Sequence, residues 1–337
     1  MTKHPSIFIL VPAYRDPECF PTLVDIFKKA KYPDRIFPSV CWQSVPDLDA
    51  DMLPRGQLHK NVTVQEFHVN DSHGVCWARN TAQKVYNGED YALYIDSHSR
   101  FIPGWDELII EELQKCPADR PVLASYPAGY TPPDSLELNA TPTVMRPHPF
   151  TPGGDIRFRG VFLSKTPEKS LRGAFVAGGF LFTRGEVVRE APNDPYLYFG
   201  QEEVILSARL WTHGYDIYHP PKHYLFHYYN MPNDKQKRAL HWEDRRDWET
   251  YLRRGQARAN HLTGHQFSTD PEALKDLDKH GFGTARTFAS FEEFTGIDFK
   301  TRTVNERGLR CHFIEGLENY MSGPVYIPEI DGAREKA

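Results

Sequence analysis

Short apolar runs alternate with segments of helical periodicity over residues 1–125, and this alternation constrains the fold more than any other feature. Residues 7–11 form a continuous apolar run, which is typical of a strand buried on both faces. Pro21 then begins a segment whose apolar side chains recur at helical spacing. Repetition of this unit predicts an α/β fold with a parallel sheet. The predicted strands are residues 7–11, 36–42, 62–69, 91–95, 122–126 and 175–182, and the predicted helices are residues 21–30, 77–86, 105–116 and 202–212.

Charge and cysteine usage narrow the class of protein. The 337 residues carry a formal net charge of -5, so a nucleic-acid-binding face over the whole surface is not expected. The five cysteines are odd in number and none belongs to a Cys-x-x-Cys pair, which argues against disulfides and structural zinc. Reduced thiols, and no run near the ~20 apolar residues that span a bilayer, predict a cytoplasmic protein. A chain separated from its membrane anchor is the alternative.

Two later regions do not show the alternation of apolar runs and helical segments seen in residues 1–125. Residues 127–169 are dense in proline, glycine and threonine, which predicts a long loop or a small insertion. Helical patterns return at residues 235–258 and near residues 271–279. The predicted division is an α/β domain over residues 1–230 and a helical or irregular C-terminal extension over residues 231–337.

The tripeptide Asp96-Ser97-His98 directly follows the predicted strand 91–95. Ligands of open α/β sheets bind beyond the carboxyl ends of the strands, and residues two apart in extended chain point the same way. Asp96 and His98 can therefore reach one metal ion. A carboxylate and an imidazole suit Mn²⁺ better than Mg²⁺. Spacing alone favours the alternative, a polar turn that ends the strand.

Residues 91–105, YALYIDSHSRFIPGW, resemble the metal motif of the polypeptide N-acetylgalactosaminyltransferases, which is also Asp-Ser-His. Further segments resemble the cytoplasmic N-acetylglucosaminyltransferases that modify hydroxyproline on a ubiquitin-ligase adaptor subunit (glycosyltransferase family 60). In order, they read YRDPE, YPDR, CWQ, GVCWAR and NGED between residues 14 and 90. The resemblance covers about residues 5–230, and it is weaker at residues 282–286 and 294–298. It implies a GT-A fold, which is a Rossmann-like nucleotide-sugar-binding fold, a UDP-linked donor, and retention of anomeric configuration.

The same resemblance assigns residues to the nucleotide. The turn after the first strand would lie over uracil and ribose, with Tyr14 or Arg15 stacking on the base and Asp16 accepting a hydrogen bond. Gln43 would read the uracil edge, and Arg79 would lie near the nucleotide. Polar loops after strands are common, and an exposed helix arginine is the alternative for Arg79. The predicted nucleotide-binding residues are Pro12, Ala13, Tyr14, Arg15, Asp16, Gln43 and Arg79.

The resemblance also implies residues at the sugar and a third metal ligand. Gly178 and Gly179 match glycines that lie against the donor sugar, although tight strand packing explains them equally. Glu202 aligns with a family glutamate, while Glu203 stands in place of an asparagine and is predicted to contact the donor. Acidic residues also favour a helix N-terminus through its dipole. Asp96 and Glu202 are the predicted catalytic residues. The family's histidine six residues after a proline selects His227 as third metal ligand, with His223 as second choice.

These patterns predict a metal-dependent retaining glycosyltransferase that moves GlcNAc from UDP-GlcNAc to a hydroxyl of a protein (hydroxyproline, serine or threonine) or of a glycan. Mn²⁺ is the predicted cofactor, with Mg²⁺ as second choice. One alternative is another UDP-sugar used for a polysaccharide or a modified base. Alternatives from other classes are a sugar-nucleotide hydrolase or nucleotidyltransferase and a non-catalytic sugar-binding module. The lack of glycine in residues 11–16 argues against a phosphate-binding loop there, and the intact metal pair argues against the module.

Overall fold

The structure is a computed structural model that describes residues 4–151, 154–229 and 238–327. Its strands are β1 (Ile7–Tyr14), β2 (Ile36–Ser44), β3 (Thr63–His68), β4 (Tyr91–Ile95), β5 (Ser99–Phe101), β6 (Pro121–Ala124), β7 (Ala128–Thr131), β8 (Ser135–Leu136), β9 (Thr143–Pro147), β10 (Phe158–Phe162), β11 (Leu171–Arg172), β12 (Phe180–Arg184), β13 (Asp216–His219), β14 (Leu225–His227), β15 (Ile297–Asp298) and β16 (Thr303–Val304). Its α-helices are α1 (Cys19–Lys29), α2 (Pro46–Asp49), α3 (Val75–Gln83), α4 (Trp105–Lys115), α5 (Val187–Glu190), α6 (Glu202–Thr212), α7 (His241–Asp244), α8 (Trp248–Leu262), α9 (Leu277–His280), α10 (Phe288–Thr295) and α11 (Glu306–Leu309). Short 3-10 helices occupy Pro33–Arg35, Ala50–Met52, Arg55–Gln57, Val69–Asp71 and Leu317–Tyr320.

The central sheet has the strand order β11-β13-β6-β12-β4-β1-β2-β3. β1 pairs in parallel with β2 on one side and with β4 on the other, while β12 runs antiparallel between β4 and β6. The chain places β2 and β3 on one side of β1 and then crosses to β4 on the other side. A crevice therefore opens beyond the carboxyl ends of β1 and β4. This mixed sheet confirms the predicted α/β class.

Both faces of the sheet are covered, as the continuous apolar run of β1 predicts. The odd-numbered apolar residues of β1 join α1 and α4 in one buried cluster. The even-numbered residues join α3 and α6 in a second cluster on the opposite face. Successive side chains of a strand point to opposite faces, so a strand between two helical layers is apolar at every position.

Residues 127–169 contain β7 to β10, so of the two predicted alternatives the long loop is wrong, and the strands are compatible with a small insertion. β7 and β8 join β5 and β14 in a four-stranded sheet, and β9 pairs with β10 in a separate ribbon. Each of these strands is two to five residues long. Strands this short give too few alternations for a periodic signal, and the intervening proline and glycine residues dominate the composition.

Several predicted boundaries also shift. The regular strand predicted at 175–182 is only Phe180–Arg184 in the structure, because Ala177 bridges back to Phe180 across a turn. α1 begins two residues before Pro21, since the N–H of Cys19 donates to the carbonyl of Asp16. The helix predicted at 235–258 begins outside the described residues, and from residue 238 onward it is α7 and α8. Near 271–279, the four-residue α9 is the helix that forms.

All five cysteines are free and buried. Burial raises the pKa of Cys41 and of Cys116 to about 12, so these thiols stay protonated and unreactive at neutral pH. No helix in the described ranges is long and apolar enough to cross a membrane.

Aromatic side chains join the residues after 231 to the α/β domain. Phe291 of α10 is fully buried, and its ring centroid lies 6.3 Å from that of Phe175. Phe313 contacts the same ring at 5.6 Å. Arg258 of α8 forms a fully buried ion pair with Asp194 at 2.6 Å. The C-terminal residues therefore share a hydrophobic core with the residues before 231.

Replacing Phe291 by alanine tests this shared core. We expect Phe291→Ala to lower the free energy of unfolding by about 3–5 kcal/mol, the usual cost of deleting a buried phenylalanine ring. Urea denaturation followed by circular dichroism measures the change. Phe267→Ala is the matched control, because Phe267 is 76% exposed and should cost little. Equal stability of the two variants would show that the C-terminal residues do not stabilise the core.

Candidate active site

Three side chains with metal-binding atoms converge at the carboxyl end of β4. Asp96 and His98 follow this strand, and His227 ends β14. One ligand atom from each lies within 4.8 Å of the other two. The Nε2 atoms of the two histidines are 3.0 Å apart, and Nε2 of His227 is 3.1 Å from Oδ2 of Asp96. The structure thus brings together the three residues predicted as metal ligands.

Strand pairing positions His227. β14 runs antiparallel to β5, and this register sets His227 opposite Ser99. The N–H of Tyr228 also donates to the carbonyl of His98. These backbone bonds hold residues 98 and 227 side by side although 129 positions separate them in the sequence.

Two neighbouring histidines are held by backbone groups instead. His223, the second choice for the third ligand, lies 3.2 Å from the carbonyl of Thr141 through Nε2, and its Nδ1 accepts the N–H of Ala128. His219 lies 2.7 Å from the carbonyl of Ala124, and burial lowers its pKa to about 4. Neither belongs to the group formed by Asp96, His98 and His227, which we call the metal-type cluster. Both histidines therefore have structural roles.

The buried carboxylate of Asp16 orients His98. Its Oδ2 lies 2.7 Å from Nδ1 of His98 and accepts the hydroxyl of Ser97, while Oδ1 accepts the N–H of Glu18. Burial alone would raise the pKa of Asp16, but His98 outweighs it and the pKa falls below its usual range. An ionised Asp16 keeps the proton of His98 on Nδ1, so that Nε2 presents its lone pair to the cluster. Protein groups thus engage both oxygens of Asp16, and its contact with ribose stays a prediction.

The cluster fits a divalent cation. One carboxylate oxygen and two imidazole nitrogens suit Mn²⁺. Ligands at about 2.1 Å from an octahedral cation lie about 3.0 Å from one another. Nε2 of His227 lies at such distances from His98 and from Asp96. Burial lowers the pKa of His227 to about 4, so this imidazole is neutral at pH 7, which is the form that binds metals. Within the described part of the chain Nδ1 of His227 has no partner, so its polar contacts concentrate on Nε2.

Arg79 of α3 is the cation nearest to Asp96. Its Nη2 donates to Oδ1 of Asp96 at 3.1 Å and to the carbonyl of Gly178 at 2.9 Å. Burial would raise the pKa of Asp96, but the hydrogen bond to His227 and the charge of Arg79 outweigh it. They hold that pKa far below its usual range. Arg79 is only 5% exposed, so the alternative of a solvated helix arginine is wrong.

Gly178 and Gly179 form the turn before β12, against the cluster. A Cβ at Gly178 would lie 2.8 Å from Nη2 of Arg79, and one at Gly179 would lie 3.1 Å from Oδ2 of Asp96. The backbone therefore approaches Arg79 and Asp96 at distances that a side chain would prevent. These close approaches, to Arg79 of α3 and to Asp96, account for glycine at both positions, and contact of the pair with a donor sugar stays a prediction.

A cavity of about 310 Å³ adjoins Asp96 and His227. Its size is typical of small-molecule sites. Glu202 and Glu203, at the start of α6, form part of its wall together with the two glycines. Its aromatic and apolar lining was not predicted from the sequence and includes Tyr126, Ile156, Phe158, Phe199 and Tyr229. Tyr126 ends a predicted strand, which is the one signal that points to it.

Glu203 holds the turn of Gly178 and Gly179 in place through a hydrogen bond. Its Oε1 accepts the N–H of Gly178 at 2.8 Å, and its Oε2 accepts the hydroxyl of Tyr126 at 2.9 Å. Burial and the charge of Glu202 raise the pKa of Glu203 to about 7. Glu202 accepts the N–H of Gly200 at 2.6 Å, and burial raises its pKa as well. The cavity wall thus carries a carboxyl group that is partly protonated at neutral pH.

The predicted nucleotide-binding turn lies at the end of β1, and α7 contacts it. The hydroxyl of Tyr14 donates to Asp244 at 3.1 Å. Arg15, in the left-handed region at φ 47°, pairs with Asp49 and Asp244 at 3.0 Å each. Sequence reasoning missed Asp244, because an acidic residue in a charged helical stretch gives no distinguishing signal.

The remaining nucleotide-side residues are buried next to this turn. Pro12 and Ala13 lie inside β1. The amide nitrogen of Gln43 donates to the carbonyl of Ala13 at 3.2 Å, and its oxygen accepts the hydroxyl of Ser72. Gln43 is 2% exposed. These residues hold the strand ends in place, and their contacts with uracil stay predictions.

Comparison with known proteins identifies the family. A family model described as Glycosyltransferase (GlcNAc) matches residues 6–54 and 49–301. The chain belongs to this family. Membership confirms the prediction of a glycosyltransferase. No curated protein sequence matches this glycosyltransferase closely enough to add to that assignment.

Solved structures show the fold. The crystal structure of GalNAc-T7 with UDP, GalNAc and Mn²⁺ is similar at a TM-score of 0.54 and 16% identity, over 87% of this chain and 57% of that chain. The present chain therefore spans little more than half the length of GalNAc-T7. This similarity confirms the predicted GT-A fold. Lower TM-scores relate it to the mannosyltransferase PcManGT from Pyrobaculum calidifontis with GDP-Man and Mn²⁺ (0.45, 13% identity, 80% of this chain and 67% of that chain) and to S. aureus TarS 1–349 with UDP (0.40, 14% identity, 80% and 75%).

The raised pKa of Glu203 gives a prediction about stability and pH. Its folded-state pKa of about 7 exceeds the usual 4.5, so the folded protein holds a proton that the unfolded chain releases between these values. Stability from this group is therefore present below pH 4.5 and is lost as pH rises through 7. Between pH 4.5 and pH 7 this loss should lower the free energy of unfolding by about 2 kcal/mol, a value reduced for the partial exposure of Glu203. We expect the Glu203→Gln variant to lack this decrease.

Urea denaturation of the Glu203→Gln variant from pH 5 to pH 8 measures the effect. Glu249→Gln is the control, because the side chain of Glu249 is 61% exposed. The pH profile of the control should match that of the unsubstituted protein. If Glu203→Gln also leaves the profile unchanged, Glu203 does not titrate near pH 7.

Proposed function

We propose that this chain transfers GlcNAc from UDP-GlcNAc to a hydroxyl group, with a divalent cation, preferably Mn²⁺, at Asp96, His98 and His227. The observation that carries the proposal is the convergence of these three side chains at the crevice between β1 and β4. A bound cation there would act as a Lewis acid on the leaving diphosphate.

Two comparisons support the choice of donor. The matching family model is described by GlcNAc, and the structurally similar GalNAc-T7 was crystallised with UDP, GalNAc and Mn²⁺. The cavity next to the cluster has the size for a sugar and carries carboxylates that can accept sugar hydroxyls. Arg79, the glycine turn and Asp96 line this cavity together, and the diphosphate and the anomeric carbon would meet beside them.

The proposed reaction retains the anomeric configuration. The acceptor oxygen approaches the anomeric carbon on the face that the diphosphate leaves, and the bond from that carbon to the phosphate oxygen breaks. The acceptor's proton passes to the departing phosphate oxygen, so no protein base is needed. Arg79 stabilises the negative charge, and the carboxylates of Glu202 and Asp96 position the reacting groups. A glycosyl-enzyme trapped and seen by mass spectrometry would contradict this front-face route.

The acceptor class follows from the sequence resemblance. The related enzymes modify hydroxyproline on a protein, and we propose a protein hydroxyl (hydroxyproline, serine or threonine) as the acceptor. A glycan hydroxyl is the competing acceptor. Hydrolysis of UDP-GlcNAc by water reports donor chemistry without any acceptor, so it is the first activity to measure.

Histidine substitution tests the metal site. His227→Ala should lower the affinity for Mn²⁺ at least tenfold and reduce Mn²⁺-dependent UDP-GlcNAc hydrolysis to background, as should Asp96→Ala. His223→Ala is the matched control, because among the described residues this histidine bonds backbone groups only. Isothermal titration with MnCl₂ and release of UDP measure both effects, and thermal melting confirms folding. Mn²⁺ affinity that survives in the Asp96 and His227 variants would refute the site.

Asp16→Asn tests the support of His98. Asparagine keeps the shape of the side chain but loses the charge that favours a proton on Nδ1 of His98. We expect Mn²⁺ affinity to fall 10–100-fold, which is typical for loss of a carboxylate behind a ligating histidine. The control is Asp134→Asn, whose side chain is 68% exposed. If UDP binding falls without metal while Mn²⁺ affinity is unchanged, Asp16 contacts the ribose and does not support the metal.

A further inference from the structure

One edge of β10, which we call the open edge, has no strand partner among the described residues. On its other edge β10 pairs with β9. The bonds to β9 fall on odd-numbered residues, since the backbone groups of Arg157 and Leu163 bond on the β9 side. Such bonds recur at every second residue, so the even-numbered residues turn their N–H and C=O groups away from β9. On that side, Gly160 and Phe162 make no backbone hydrogen bond to any described residue.

Gly160 lies on this edge at a position where a small side chain would fit. A Cβ added there would meet its nearest neighbours at 3.7 Å, which is an ordinary contact, and its φ is not in the left-handed region. Neither packing nor backbone conformation therefore requires glycine at this position. An alanine at residue 160 is therefore compatible with the fold.

The open edge leads to the cavity that adjoins Asp96 and His227. Ile156, Arg157 and Phe158 line that cavity, and the next residues of the same strand line an open groove of about 1220 Å³. Residues 321–326 form the opposite wall of the groove. The carbonyl of Phe158 points at Tyr126, whose hydroxyl is 3.5 Å away and which belongs to the cavity wall. A chain lying along β10 would thus arrive beside Glu203 and the glycine turn.

Charge and apolar surface along the strand indicate what kind of chain fits. Arg157 and Arg159 are exposed, and neither forms an ion pair within the described ranges. Phe162 is 71% exposed at the far end of the strand. Unpaired arginines favour carboxylate partners, and an exposed phenylalanine favours an apolar side chain opposite it.

We propose that the acceptor is an extended acidic segment of a polypeptide, which adds to β10 as a third strand and delivers its hydroxyl residue to the cavity. Main-chain hydrogen bonds to Gly160 and Phe162 would supply affinity, and pairing with Arg157 and Arg159 would select the acidic sequence. This inference rests on the proposed function, because it assigns the acceptor of the same transfer reaction. β10 has five residues, so about 17 Å of extended peptide lies along it.

Gly160→Pro tests the backbone pairing directly. Proline removes the outward N–H of residue 160 and puts its ring in the path of an added strand, while the ladder to β9 stays intact. The probe is a degenerate nine-residue peptide library with serine, threonine or 4-hydroxyproline at the centre, with transfer measured from radiolabelled UDP-GlcNAc. We expect Gly160→Pro to lower kcat/KM for peptide at least tenfold and to leave UDP-GlcNAc hydrolysis within twofold. Gly160→Ala, which keeps the amide, is the matched control and should retain peptide transfer.

Charge reversal tests the acidic preference. Sequencing of the glycosylated library should show enrichment of aspartate and glutamate, and Arg157→Glu with Arg159→Glu should reverse it toward lysine and arginine. Absence of peptide transfer by an enzyme that hydrolyses UDP-GlcNAc would overturn this inference and leave the proposed donor chemistry standing. Equal peptide kinetics for Gly160→Pro and Gly160→Ala would also overturn it. Absence of UDP-GlcNAc hydrolysis would instead contradict the proposed function. Thermal melting of each variant separates misfolding from these outcomes.

Discussion

The parallel pairing of β1 with β4 is the constraint on which the rest of the site depends. Its register, from Ile7 opposite Tyr91 to Leu10 opposite Tyr94, brings the ends of the two strands to one edge of the sheet. Asp16 then meets His98 across this edge, although 82 positions separate them. A slip of one residue would turn every side chain of β4 to the opposite face. The apolar residues on both faces of β1 therefore fix the metal-type cluster as well as the core.

The sequence predicts what is encoded locally. The apolar runs of β1 and β4 and the helical periods of α4 and α6 are visible because each spans enough residues to show its period. Asp96 and His98 are visible as a pair because they are two positions apart after a strand. His227 was selected only by resemblance, since its place in the cluster depends on pairing between β14 and β5. The strands of residues 127–169 were missed because each is too short to show alternation.

Contacts between distant segments account for the rest. The contacts of Asp16 with His98 and of Tyr14 with Asp244 follow from tertiary packing. No local sequence pattern indicates either of them. Gln43 is a less direct case. The family resemblance predicts that it reads the uracil edge, and in the structure its amide group bonds to Ala13 and Ser72, so the contact with uracil stays a prediction. A polar residue at the right edge of a sheet is thus weaker support for a ligand contact than a set of converging atoms.

Electrostatics links the proposed metal and donor. Asp96 is held ionised by Arg79 and His227, and two further carboxyl groups line the adjoining cavity. A diphosphate that entered this region would meet negative charge, which Arg79 and Arg157 offset only in part. A cation at the cluster would remove that repulsion, so metal and donor should each raise the affinity for the other by the same factor. Glu203 adds to the same balance, because its pKa of about 7 lets this wall shed negative charge by taking up a proton. The network from Tyr126 through Glu203 and Gly178 to Arg79 thus joins the cavity wall where β10 begins to the carboxylate of Asp96.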